Sequence, residues 1–342
     1  MPITSPSPPS PRVSILLPVR DAADTLATCL RSLTRQTESR WECVVVDDGS
    51  VDATPALLAA SARTDARVRV VTTPRRGLVP ALSTGLEHCR APFVARMDGD
   101  DHMHRERLAS QLAAFEQRPS LGALGTRVRM FPRELLRDGQ RRYEHWLNGL
   151  SSPDDVRRDA FVECPVAHPS LMIRSDLLRA FGYRDCGWPE DYDLILRLLA
   201  AGHEIAVVPR RLHGWRDSSG RLSRRSPAYS LDRFTACKAA HLASGLLARS
   251  RDYVLWGYGS TGRALRRALL AHDRTPSHIV ELHPGRLGQT IHGAPVIEPA
   301  DLRALRGAKI VVSVAGIGPR NEIRRSLAGM GFRELDEFVC AA

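Results

Sequence analysis

Three aspartates lie within four positions of the stretch ARMDGDD, at Asp98, Asp100 and Asp101. They follow the apolar run PFVA, after Arg96 and Met97, and that run predicts a buried strand. Carboxylates this close repel one another and are costly to remove from water, so packing gives no reason for the cluster. A hard divalent cation does, because Mg²⁺ and Mn²⁺ take oxygen ligands from one or two carboxylates plus substrate phosphates. The spacing predicts a metal site, although an isolated D-x-D is more often an acidic turn before a helix.

Strand-like and helix-like patterns alternate before and after this cluster. Helical spacing within residues 21–37 places four apolar side chains on one face, at Leu26, Cys29, Leu30 and Leu33. Strands are predicted for VSILLPV (13–19), WECVVVDDGS (41–50), VRVVTT and PFVARMD. The alternation predicts a parallel sheet with crossover helices, whose ligands bind at the carboxyl ends of the strands. Those ends are residues 18–20, 47–49 and 98–100, and two of the three are acidic.

Five blocks occur in a fixed order: LLPVRDAADTL, VVVDDGSVDAT, RRGLVPALSTGL, FVARMDGDDHMHRERL and PEDYDLILRL. From about Val13 to Ser223 the chain resembles the GT-A-fold, family 2 inverting glycosyltransferases. The resemblance implies a GT-A nucleotide-diphospho-sugar transferase fold. With the strand–helix alternation that restarts at residue 252, the predicted fold class is α/β, a GT-A fold followed by a small Rossmann-like α/β domain. It implies transfer of a sugar from a nucleotide-diphosphate sugar to an acceptor hydroxyl, in cell-surface glycan or polysaccharide assembly.

The resemblance also implies roles for individual residues. Asp191 in PEDYD matches the general base, and Glu190 beside it positions the acceptor or the base. Asp100 is the implied metal ligand together with Asp98, for Mg²⁺ or Mn²⁺. Residues implied to contact the nucleotide sugar are Pro18, Arg20, Asp48, Arg76 and Asp98. His168 and Trp188 are implied to lie near the acceptor, Asp47 to be a structural partner, and Asp101 to be free to cap the next helix.

The chain departs from the family pattern at several positions. Arg20-Asp21 replaces an aromatic-Asn pair, and Arg105 stands where a proline is common. The family often has a late histidine that helps bind the metal or diphosphate, and Ser218 lies near that position here. Asp217 and His213 are the alternatives, so the third metal ligand stays open.

The alternation restarts at DYVLWGYGSTGRALRRALLAH (252–272), where a strand meets a glycine-rich turn and a helix. Gly257, Gly259 and Gly262 have the spacing of a dinucleotide-binding turn, and Glu281 lies where an acid for the ribose belongs. Such turns also serve tight strand–helix packing. Binding of NAD(P) or another nucleotide and a vestigial or docking role are therefore both open. The predicted organisation is a disordered tail (1–11), a transferase domain (12–228), a connecting helix (229–251) and a separately folding Rossmann-like domain (252–342).

The formal net charge is +11, almost all of it from arginine. A basic chain favours anionic partners, but no RNA-binding motif is present and we expect no nucleic-acid partner. The expected partners are a nucleotide-diphosphate sugar, with a UDP-sugar as the default, and a saccharide or lipid-linked acceptor. We expect a cytoplasmic protein, with peripheral contact to the inner face of a membrane left open. Two other interpretations are a bifunctional sugar enzyme with an NAD(P)-binding tail and a non-catalytic component of a glycan-assembly complex.

Overall fold

The structure is a computed structural model and describes residues 10–218, 220, 221, 224 and 226–342. The first nine residues of the predicted disordered tail lie outside the described residues. The described chain packs as two compact units, each with its own sheet flanked by helices. The predicted α/β fold class is confirmed. In the described part of the chain, no helix combines the length and the apolar character needed to cross a bilayer.

Strands and helices alternate from the start of the chain. Before residue 219 they are, in order, β1 (Val13–Val19), α1 (Ala23–Thr34), β2 (Trp41–Asp48), α2 (Thr54–Thr64), β3 (Val68–Thr73), α3 (Leu78–His88), β4 (Phe93–Arg96), β5 (His102–Met103), α4 (Arg107–Gln117), β6 (Leu121–Phe131), α5 (Asp138–Leu147), α6 (Pro153–Asp159), β7 (Met172–Arg174), α7 (Ser175–Phe181), α8 (Glu190–Ala200) and β8 (Glu204–Arg216). After residue 226 they are α9 (Leu231–Ser244), β9 (Asp252–Trp256), α10 (Ser260–Leu270), β10 (Thr275–Val280), β11 (Thr290–Ile291), β12 (Ala294–Ile297), β13 (Ile310–Val312), α11 (Ile317–Gly329) and β14 (Phe338–Cys340).

The first unit is built on an eight-stranded sheet of order β3-β2-β1-β4-β7-β6-β8-β5. Strand β1 pairs in parallel with β2 on one side and with β4 on the other. The carboxyl ends of these three strands therefore meet at one edge of the sheet, as the alternation predicts. Strand β7 is antiparallel to β4 and β6, and the short β5 pairs antiparallel with β8 at the sheet's edge.

Helix α1 shows how the sequence pattern becomes packing. Its buried residues are the four predicted ones, Leu26, Cys29, Leu30 and Leu33. They join β1 and β2 in one apolar cluster. Each fully buried leucine contributes about 1.5–3 kcal/mol through the area removed from water, which holds α1 against the sheet.

The second unit contains more than the C-terminal segment. It comprises the described residues of Asp154–Pro165, Cys186–Ala200 and Gly220–Ala342. Tyr192 and Leu196 of α8 share an apolar cluster with Cys237 of α9 and with Ala160 and Cys164. These contacts group α8 with residues after 220, whereas the predicted boundary lies at residue 228. The predicted boundaries stay a hypothesis about independent folding.

The second unit's sheet has the order β11-β12-β10-β9-β13-β14. Strands β12, β10, β9, β13 and β14 are parallel neighbours, and β11 forms an antiparallel pair with β12. Counted along the chain, the five parallel strands run 3-2-1-4-5, an order typical of doubly wound sheets. Helix α9 buries Ala239 and Leu242 in one apolar cluster of this unit, which also includes Leu255 of β9.

Candidate functional site

The turn after β4 brings the three aspartates of the opening motif together. The Asp101 backbone N–H donates to the Asp98 carbonyl at 3.2 Å, which closes the turn. One carboxylate oxygen from each of Asp98, Asp100 and Asp101 lies within 4.8 Å of the other two. Gly99 is required here by space, because a Cβ at this position would lie 2.9 Å from Cγ1 of Val19 at the end of β1. We call residues Asp98–Asp101 the acidic turn.

Asp101 is the buried anchor of the acidic turn. Asp101 is 1% exposed, and its Oδ2 lies 2.8 Å from His213 Nε2. Its Oδ1 accepts from the Arg216 backbone N–H at 2.6 Å. The alternative role of Asp101 as a helix cap is wrong, because α4 begins only at Arg107 and its Leu108 backbone N–H donates to Gln36 Oε1 at 3.1 Å. Asp101 instead ties the turn to β8.

The tautomer of His213 follows from its second partner. Arg107 Nη1 lies 3.1 Å from His213 Nδ1, and a guanidinium has donors only, so Nδ1 accepts. The ring proton therefore lies on Nε2 and is donated to Asp101. Burial lowers the pKa of Arg107 to about 9, which still leaves the guanidinium charged at neutral pH. Both ring nitrogens of His213 are engaged, which removes it as the third metal ligand.

Asp98 and Asp100 remain as carboxylates for a cation. Asp98 is partly exposed and pairs with the buried Arg96, whose Nη2 lies 2.6 Å from its Oδ1. Arg216 Nε donates to the Asp100 backbone carbonyl at 2.8 Å, which fixes the position of that residue. Hard oxygen donors at the end of a strand fit Mg²⁺ or Mn²⁺. Asp217, the other alternative for a third ligand, is buried and accepts from Gln140 Nε2 at 2.5 Å.

A second group of predicted site residues meets at the end of β2. Both oxygens of the buried Asp48 accept backbone N–H groups, from Arg76 at 2.7 Å and from Gly77 at 2.9 Å. Arg20 Nη1 lies 3.7 Å from the same carboxylate. Asp48 thus holds the loop that begins α3, with the Arg20 and Arg76 side chains at its surface.

Asp47 and Pro18 both contribute to the local structure at the ends of β2 and β1. Asp47 Oδ1 accepts from the Ser50 backbone N–H at 3.0 Å and closes the turn after β2. Gly49 in that turn has a φ of +66°, and a Cβ there would lie 2.8 Å from the Arg75 backbone nitrogen. Pro18 is buried in β1 opposite Val46. It lies at the same edge of the sheet as Asp48.

His168, a predicted acceptor residue, is buried in the first unit. Its Nε2 lies 3.0 Å from the Tyr183 hydroxyl. Burial, and then the charge of Arg96, hold the pKa of His168 well below its usual value. The imidazole is therefore neutral at physiological pH and takes part in a hydrogen bond between two buried rings.

In the second unit, the first turn of α8 carries Glu190, Asp191 and Asp193. Glu190 is 4% exposed and accepts from the Tyr229 hydroxyl at 2.5 Å. Asp191 is partly exposed, and its Oδ1 accepts from the next backbone N–H, that of Tyr192. A carboxylate in the first turn of a helix is favoured in its charged form by the helix dipole.

Asp193 was missed by the sequence analysis, yet it is the centre of a buried network. Its Oδ2 accepts from Arg197 Nε at 2.7 Å, and His241 Nε2 lies 3.1 Å from its Oδ1. Trp188 Nε1 donates to the same Oδ1 at 3.3 Å, so this predicted acceptor residue is also part of the network. Only the i, i+4 spacing of Asp193 and Arg197 was a visible signal.

The glycine-rich turn of the second unit packs tightly. Gly257 has a φ of +91°, and a Cβ on Gly262 would lie 2.3 Å from the Gly257 carbonyl oxygen. Gly259 precedes the first residue of α10. Glu281 Oε1 accepts from the Tyr258 backbone N–H at 2.9 Å and from Arg286 at 2.8 Å. Nucleotide or NAD(P) binding at this turn stays a prediction.

Comparisons with known proteins agree with this architecture. Residues 14–181 match the family model described as Glycosyl transferase family 2. The amylovoran biosynthesis glycosyltransferase AmsE of Erwinia amylovora is 32% identical over 221 residues, covering 62% of this chain and 78% of that protein.

Two solved structures share the fold. S. aureus TarS 1-349 in complex with UDP-GlcNAc matches with a TM-score of 0.55 at 13% identity, over 93% of this chain and 80% of that one. The mannosyltransferase PcManGT from Pyrobaculum calidifontis, in complex with GDP-Man and Mn²⁺, matches with a TM-score of 0.51 at 17% identity, over 95% of this chain and 81% of that one.

Proposed function

Because the chain belongs to glycosyl transferase family 2, we propose that it transfers a hexosyl group from a nucleotide-diphosphate sugar to an acceptor hydroxyl with inversion. The observation that carries this proposal is the acidic turn, which lies at the same sheet edge as Asp48. The nucleotide sugars bound by TarS and PcManGT support a donor of this class. A UDP-sugar is the default donor.

Asp100 and Asp98 hold the divalent cation in this proposal, and Asp101 holds the turn in shape. A bound Mg²⁺ or Mn²⁺ supplies neutralisation of the diphosphate, which makes it a better leaving group. Arg20 and Arg76 are exposed or half-exposed cations beside Asp48, and in this proposal they contact the nucleotide or its phosphates. Asp48 fixes that loop and thereby orients both arginines.

Asp191 is the general base of the proposal. An acceptor hydroxyl must lose its proton as it attacks the anomeric carbon, and a carboxylate kept ionised by a helix N-terminus can accept it. One in-line displacement then inverts the configuration. A hydrogen bond from the Tyr229 hydroxyl holds Glu190 in position. In this proposal His168 and Trp188 lie near the acceptor. The acceptor is a saccharide or a lipid-linked saccharide in glycan assembly, as the name of the amylovoran relative suggests.

The test is direct transfer with purified protein. UDP- and GDP-sugars are screened with and without Mn²⁺ for nucleoside diphosphate release in the presence of saccharide acceptors. The anomeric configuration of the product is read by NMR. We expect metal-stimulated release with at least one donor and an inverted product. A retained configuration contradicts the single displacement, and no turnover of any nucleotide sugar contradicts the proposal as a whole.

A further inference from the structure

A basic groove lies on the first unit, between α1 and the edge strand β5. Its volume is about 710 Å³, within the range of about 300–1,000 Å³ that small-molecule sites occupy. One wall is the C-terminal half of α1, and the other is the segment that follows the acidic turn. The lining residues are Thr28, Arg31, Ser32, Arg35, His102, Met103, His104 and Arg105.

The charge of the groove is one-sided. Three of the eight lining residues are arginines and none is an acid. Arg31 and Arg35 are exposed, and across the described ranges neither forms an ion pair. The carboxylate nearest to Arg105 is that of Glu106 at 3.9 Å, and Glu106 is already paired with Arg210. The guanidinium groups are therefore available to an external anion.

Ordinary helix stabilisation explains only part of this arrangement. Arg31 lies in the last turn of α1, where a cation interacts favourably with the helix dipole. Arg105 lies on a different segment and has no such role. Arg31 and Arg35 are four residues apart, so their like charges repel on the helix surface. A shared anionic ligand removes that cost.

The groove also contains a neutral N–H donor from His104, and a hydrogen bond between its two walls fixes its shape. His104 Nδ1 accepts from the Glu106 backbone N–H at 3.3 Å, so its ring proton lies on Nε2 as a donor. His102 packs against Phe131 with ring centroids 4.8 Å apart. Ser32 Oγ accepts from the Met103 backbone N–H at 3.1 Å, which joins α1 to β5. The two walls are thus held in a fixed relation.

We propose that this groove binds a phosphate or diphosphate group of a ligand other than the sugar donor. Arginine forks and neutral N–H and O–H donors match phosphate oxygens, which accept several charge-assisted hydrogen bonds at once. The groove adjoins the acidic turn, because His102 directly follows Asp101 and Cys29 Sγ of α1 bonds the Asp98 carbonyl at 3.4 Å. The phosphate belongs either to a soluble phosphorylated saccharide or to a lipid headgroup.

The experiment uses the full chain in EDTA, so that no divalent cation binds the acidic turn. Inorganic pyrophosphate is titrated calorimetrically, and in a second arm the protein is sedimented with phosphatidylglycerol or phosphatidylcholine vesicles. The variants are Arg31→Gln with Arg35→Gln, and Arg105→Gln. Arg63→Gln, an exposed arginine on α2, is the matched control. Arg31→Lys combined with Arg35→Lys keeps the positive charge at both positions.

We expect the glutamine variants to lose about tenfold or more in affinity for at least one probe, as charge-assisted contacts are lost. Arg63→Gln is expected to bind like the wild type, and the lysine variant to recover part of the affinity. Loss of pyrophosphate binding identifies a soluble phosphate, and loss confined to phosphatidylglycerol vesicles identifies a headgroup. The proposal is overturned if the wild type binds neither probe, or if Arg63→Gln and the groove variants bind equally. Thermal unfolding confirms that each variant is folded.

Discussion

His213 donates from Nε2 to Asp101 Oδ2 over 2.8 Å, with side chains that are 0% and 1% exposed. The two residues are 112 positions apart, so this bond fastens the acidic turn to β8. Arg107 on the other ring nitrogen fixes the tautomer that makes the donation possible. The two partly exposed carboxylates of the turn, those of Asp98 and Asp100, are thus held in place by the buried carboxylate of Asp101.

His213→Phe removes the donor to Asp101 and the acceptor for Arg107 in one step. We expect the free energy of unfolding to fall by about 3 kcal/mol, the order for a buried charge that loses its partner. Urea unfolding measures this loss. His145→Phe, on the exposed side of α5, is the control and should change stability by about 0.5 kcal/mol or less. Equal urea midpoints for the two variants would refute the anchoring role.

Asp100→Asn tests the metal assignment without changing the size of the side chain. We expect the affinity for a nucleoside diphosphate with Mn²⁺ to fall by about tenfold or more. Mutating residues that only hydrogen-bond to metal ligands already lowers metal affinity by about that factor. Binding without metal should not change. Calorimetry measures both, and Glu87→Gln on the exposed face of α3 is the control. Unchanged affinity in Mn²⁺ would remove Asp100 from the metal site.

Asp191→Asn tests the base. The variant keeps the shape of the first turn of α8 but cannot accept a proton, so kcat should fall by about a hundredfold or more. Donor affinity and the melting temperature should stay close to wild type. Asp154→Asn, an exposed acid on α6 of the same unit, should retain normal turnover. Near-normal kcat in Asp191→Asn would assign the proton transfer to another group.

The sequence predicted what depends on local periodicity. The buried face of α1 and the carboxyl-end edge of β1, β2 and β4 follow from repeats within a few residues. The role of Asp101 could not be predicted, because its partners His213 and Arg216 lie on a strand more than a hundred positions away.

Contacts between residues far apart in the sequence were the second feature that the sequence pattern could not predict. Tyr192 and Leu196 have the apolar spacing of any amphipathic helix, and nothing local shows that they pack with Cys237. The same holds for the Asp193–His241 contact, which joins α8 to α9. A boundary drawn from the restart of alternation at residue 252 cannot include such contacts.

Truncation after Arg249 tests the predicted separate folding of residues 252–342, and the buried contacts lead us to expect the opposite. Leu242 and Leu247 are fully buried against Tyr253 and Leu255, which the truncation removes. Exposing the two leucines alone costs about 3–6 kcal/mol, comparable with the whole stability of a domain. We expect residues 1–249 to aggregate or to elute as a broad, high-molecular-mass species in size-exclusion chromatography. A monodisperse truncate with sugar transfer equal to the full chain would restore the predicted boundary.

His168 gives the protein a pH dependence whose sign can be worked out. Its folded-state pKa lies well below the usual value of about 6.5, so below that pH the unfolded chain takes up a proton that the folded chain does not. The contribution of His168 to the free energy of unfolding is therefore fully present above about pH 6.5. It falls as the pH is lowered, by at most about 1.4 kcal/mol per pH unit. His168→Gln should flatten the curve by about 1 kcal/mol per unit between about pH 6 and pH 5. Urea unfolding at each pH gives the slope, and exposed His145→Gln should leave it unchanged. If His168→Gln and wild type have the same slope, the imidazole is protonated in the folded state and its assignment as a neutral partner of Tyr183 is wrong.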